Sequence, residues 1–104
     1  MRSVKIIAPP RGYAPEDIRV QWVGVTIPLA TKEDTADMKL VGFVIKEGGR
    51  IESGDASGYL VLRTNAVAAL RRAEKNSAAD YWDTGHVKFF RFLRFPLEVC
   101  EVVE

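Results

Sequence analysis

The sequence predicts an α+β domain: a curved, mostly antiparallel sheet of five or six strands with one main helix packed across it. Short runs of β-branched and aromatic residues alternate along much of the chain. A single alanine- and leucine-rich stretch carries helical spacing, and clusters of glycine, proline and polar residues separate the segments. With 104 residues, the chain reads as a single globular domain over 1–104. A chain of this size buries roughly 65% of the surface it exposes when unfolded, enough to fold without staples.

The first strand is expected over Ser3 to Ala8, with Val4, Ile6 and Ala8 on one side. Three prolines between Pro9 and Pro15 then remove backbone donors and impose a loop. Arg19 to Leu29 reads as the second strand, placing Val23, Val25, Ile27 and Leu29 on one face and Trp22 on the other. Met38 to Lys46 reads as the third, after the polar segment 31–37. Pairing Val25 with Val41 and Val23 with Phe43 sets Gly24 opposite Gly42. Facing mid-strand glycines go with a sharp bend of the sheet, which in its most curved form is a small SH3-like partial barrel.

The glycine-rich stretch from Glu47 to Gly58 reads as a long turn with a stub of pairing at Arg50–Glu52, followed by a fourth strand over Tyr59–Arg63. Thr64 or Asn65 is the expected cap of the main helix, Ala66 to about Lys75. Its stripe of Val67, Leu70 and Ala73 faces inward, and Arg71, Arg72 and Lys75 face outward. Ser77 offers a second cap for a short helical piece over Ala78–Trp82, stopped at Gly85. Val87 to Phe95 is the fifth strand. Pro96 interrupts it, and Leu97 to Val103 reads as a last strand, with a short helix as the alternative.

Fifteen basic and fourteen acidic residues leave a formal net charge of +1, which gives no global argument for nucleic acid or an anionic membrane. The distribution is polar, however. Seven basic residues between Arg63 and Arg94 face three acidic ones, and the tail turns negative at Glu98, Glu101 and Glu104. One cysteine, Cys100, excludes an internal disulfide. The N-terminal segment does not read as a signal peptide, and no apolar run reaches the ~20 residues of a membrane span, so a cytoplasmic chain without membrane contact is expected.

No cluster rises to a catalytic or cofactor signature, and neither cofactor nor metal is expected. Asp80, Asp83 and His86 share a spacing of three, but Gly85 breaks the helix before the only histidine. The stretch 48–58 lacks the Lys-Ser/Thr ending of a phosphate loop and precedes a strand. Cys100, between valines and glutamates, reads as a small packed thiol, because a neighbouring carboxylate raises a thiol's pKa.

The remaining signal is aromatic. His86 to Phe95 interleaves basic residues with phenylalanines, a pattern suited to stacking bases and neutralising phosphates. It resembles the aromatic strand of RNA-recognition-motif domains at its opening, but lacks their glycine after the basic residue and their βαββαβ order. Alternation puts Phe90 and Phe92 on one face and Phe89 with Leu93 on the other. The expected function is a non-enzymatic binding or interaction module whose partner is a protein or a second copy of the chain, with Tyr13, Trp22, Phe90 and Arg91 as contact residues. The alternative is a nucleic-acid-binding domain using the 86–95 strand and the 71–75 helix face, through Arg71, Arg72, Lys75, Lys88, Arg91 and Arg94.

Overall fold

Strand β1 (Ser3–Ile6) forms where alternation is cleanest, and Val4 and Ile6 are buried while Lys5 is exposed. A computed structural model describes residues 2–9, 21–36, 44–45, 49–52, 57–85 and 88–104. After β1 come β2 (Thr26–Pro28), β3 (Val44–Ile45), β4 (Arg50–Glu52) and β5 (Gly58–Leu62). Two helices follow, α1 (Arg63–Arg72) and α2 (Asn76–Thr84). The chain ends with β6 (Phe92–Pro96), a single 3₁₀ turn at Leu97–Val99 and β7 (Cys100–Val103).

The protein is α+β, but its strands form two antiparallel sheets and not one curved sheet of five or six strands, nor a partial barrel. The first sheet has the order β2-β1-β7 and the second β3-β4-β5-β6, with the two-residue β3 at its edge. Strand β1 is central: Val4 lies opposite Ile27 on one side and Val102 on the other. The expected hairpin between 19–29 and 38–46 lies largely outside the described residues; among those described, β2 pairs with β1 and β3 with β4. Gly42 lies outside the described residues. Gly24 is not mid-strand: at φ +88° it closes a turn over 21–24, where Val25 donates to the Trp22 carbonyl at 2.9 Å. That left-handed geometry suits glycine and ends strand alternation before Val25. Val23 is consequently exposed, whereas Val25, Ile27 and Leu29 are buried as alternation requires.

The two sheets meet where the chain leaves β2. The Ala30 N–H donates to the Leu60 carbonyl of β5 at 3.0 Å. Gly49 sits against the same place, and a Cβ on it would come within 2.9 Å of the Leu60 oxygen and 3.0 Å of the Ala30 oxygen. The main core joins Val4, Ile6, Val25 and Ile27 of the first sheet with Val61, Leu93 and Phe95 of the second, under Ala66, Val67, Ala69 and Leu70 of α1. A smaller cluster holds Ala30, Ile51 and Leu60, with Phe92 packed on it. The Cα radius of gyration, 13.1 Å, is close to the ~13 Å of a compact domain of this length.

Helix α1 starts three residues earlier than its cap signals imply. Leu62 stands at the N-cap, no side chain caps the helix, and neither Thr64 nor Asn65 has that role. Burial drives the helix instead, because small alanines let it lie close on the sheets. Ala73 closes the helix at its exposed C-cap and is not part of the buried stripe. A Schellman turn follows, with Lys75 N–H donating to the Leu70 carbonyl at 2.9 Å and Glu74 N–H to that of Arg71 at 3.0 Å. Glu74 occupies its left-handed position at φ 61°, where glycine is the usual residue. Lys75 does not face outward as expected. The turn aims its ammonium at the Gln21 and Val23 carbonyls, 2.8 and 2.7 Å away, which ties α1 to the 21–24 turn.

Helix α2 is longer than the expected 78–82 piece and ends at Gly85, as the sequence implies; Ser77 makes no cap hydrogen bond and lies inside the helix. The fifth strand is shorter than expected. It begins at Phe92, and 88–91 form a turn and its exit instead. The tail divides into a 3₁₀ turn and a strand, so both readings of 97–103 hold for part of it.

Candidate functional site

The turn at 88–91 carries the most exposed aromatic surface among the described residues. Phe89 is 84% and Phe90 57% exposed, whereas Ile7, Val23 and Val103, the other exposed large apolar residues, are 39–49% exposed. Scattered apolar side chains are ordinary on a protein surface, but two adjacent phenylalanines are not. Lys88 and Arg91 flank the pair and are themselves exposed. The Lys88 ammonium lies 5.1 Å from the centre of the Phe89 ring and the Arg91 guanidinium 5.0 Å from that of Phe92, both within cation–π range.

Arg63, at the start of α1, holds this turn in place. Its Nε donates to the Phe90 carbonyl at 2.8 Å, and its Nη1 donates to the carbonyls of Trp82 at 3.0 Å and Asp83 at 3.3 Å. The Asp83 carboxylate stands 3.8 Å away. Below the side chain, the Arg63 N–H donates to the Arg91 carbonyl at 3.0 Å. A cation at the C-terminal carbonyls of α2 also complements the negative end of that helix. One side chain thus joins the end of α2, the aromatic turn and the end of β5.

Beside the turn lies an open groove of about 420 Å³, lined by Leu62, Arg63 and Thr64 from the β5–α1 junction, by residues 88–91, and by Asp34. Among the described residues Asp34 is the only acidic one of the lining, and its Oδ2 accepts the Thr31 N–H at 2.8 Å while its own N–H donates to the Thr31 hydroxyl at 3.2 Å. The first turn of α1, which opens on the groove, contains no acidic residue. A second open depression is lined by Tyr81, Thr84, Gly85, Lys88 and Phe89.

Of the four expected contact residues, the structure brings Phe90 and Arg91 together. Tyr13 lies outside the described residues. Trp22 is not on the surface. It is 3% exposed, with ring centroids 5.2 Å from both Trp82 and Phe95, and so forms part of the main core. The turn at 21–24 rotates its side chain inward and exposes Val23 in its place. Phe89 was expected to share a face with Leu93, but because 88–91 is not strand, alternation does not extend to it. Arg63 carries no local sequence signal, since its side-chain acceptors stand 19 to 27 residues away along the chain.

The carboxylates with metal-like spacing are used otherwise. Arg71 reaches Asp80 Oδ1 at 3.1 Å and Asp83 Oδ2 at 3.4 Å, clamping α1 to α2. His86 lies outside the described residues. Among the described residues no three His, Cys, Asp or Glu side chains are grouped to hold a metal ion, and no helix is long and apolar enough to cross a membrane. Cys100 is half-buried, and burial, with a smaller push from Glu98, raises its thiol to about 11. At neutral pH it is a packed thiol and a poor nucleophile.

No family model matches the sequence, and neither the curated proteins nor the solved structures contain a match to it.

Proposed function

We propose that the chain is a non-enzymatic interaction module that engages a protein partner, or a second copy of itself, through the turn at 88–91. The observation that carries this reading is the exposure of Phe89 and Phe90 side by side, on a turn that Arg63 holds rigidly against α2. Covering an exposed phenylalanine is worth roughly 1.5–3 kcal/mol, so two adjacent rings reach the magnitude of an interface hot spot. A pre-organised turn also loses little conformational entropy on binding. The nucleic-acid reading has less support, because Arg71 is engaged by Asp80 and Asp83 and Lys75 by two backbone carbonyls.

The test is selection of a random peptide display library on the immobilised full chain, in parallel with the Phe89→Ser/Phe90→Ser double variant. Both side chains are exposed, so the variant is expected to keep wild-type stability within about 0.5 kcal/mol. Peptides enriched on the wild type and lost on the variant are the expected result, and equal enrichment on both refutes the reading. Sedimentation equilibrium of the two proteins separates self-association from binding to another protein.

A further inference from the structure

We draw no further inference here: the strongest candidate, the exposed apolar patch of Phe89 and Phe90 with the open depression at the end of α2, belongs to the site already described, and nothing in the structure shows what covers it.

Discussion

Replacing Arg63 by methionine keeps most of the aliphatic stem and removes the guanidinium. The side chain is only 16% exposed and satisfies three carbonyls, those of Phe90, Trp82 and Asp83. Hydrogen bonds from a charged donor contribute about 1.5–3 kcal/mol each when buried. Here Phe90 and Asp83 are exposed enough for water to replace part of the loss, which puts each of their bonds nearer 1 kcal/mol. The Trp82 bond is partly buried and keeps the larger value, and the favourable contact with the end of α2 adds about 0.5 kcal/mol. The ion pair with Asp83, at 3.8 Å and with the carboxylate half exposed, adds little. The expected loss is about 4–5 kcal/mol. With a urea slope of about 1.5 kcal/mol per molar, the midpoint of unfolding should fall by about 3 M. Arg63→Lys retains a charge but not the forked geometry and should fall between the two. Amide exchange should rise at residues 88–91 in either variant, because the anchor of the turn is gone. A midpoint shift of Arg63→Met below about 0.5 M, or unchanged exchange in the turn, would refute the claim that this side chain organises the surface.

Four further outcomes follow from the same structure. Trp22→Ala removes a ring that is 3% exposed between Trp82 and Phe95 and is expected to cost about 3–5 kcal/mol, read as a lowered thermal midpoint; a wild-type midpoint would contradict its core position. Glu74→Gly should be neutral or should stabilise by up to about 1 kcal/mol in urea unfolding, since it relieves a left-handed residue at the end of α1, whereas glycine elsewhere in a helix destabilises. With its thiol raised to about 11 from an ordinary value of 9.0, Cys100 at pH 8 should be alkylated by iodoacetamide about a hundredfold more slowly in the folded protein than in urea. The sign for stability follows: between pH 9 and 11 the unfolded chain has lost the thiol proton that the folded chain keeps. Stability relative to Cys100→Ser should therefore fall with rising pH across that window, as measured by urea titrations at both ends.

The parts of the fold that were legible are those in which local pattern and tertiary burial agree. Val4 and Ile6 in β1, Leu60 and Val61 in β5, Val67 and Leu70 in α1, and the stop at Gly85 all follow from periodicity and turn chemistry. The pairing of strands did not. A hairpin between neighbouring segments is the economical reading of two alternating runs, yet β1 draws one partner from each end of the chain. Trp22 was misplaced because a single left-handed glycine resets the alternation, and a backbone angle leaves no mark in a hydrophobicity pattern. The proposed contact surface was half legible. Phe90 and Arg91 stood out by composition, but Phe89 was placed on a shared face with Leu93 by extending strand period past the point where strand ends. Arg63 and Lys75, whose acceptors lie far away in sequence, were read only as the end of a strand and as an outward-facing charge.

The central seat of β1 has a consequence for how the molecule is made. During synthesis β2 soon follows β1, but the other flank of β1 waits for β7, which emerges after all the other described strands. Until then the nascent chain carries an open strand edge beside Val4 and Ile6, a surface to which other extended chains can add. Its protection arrives only when translation has passed Val103.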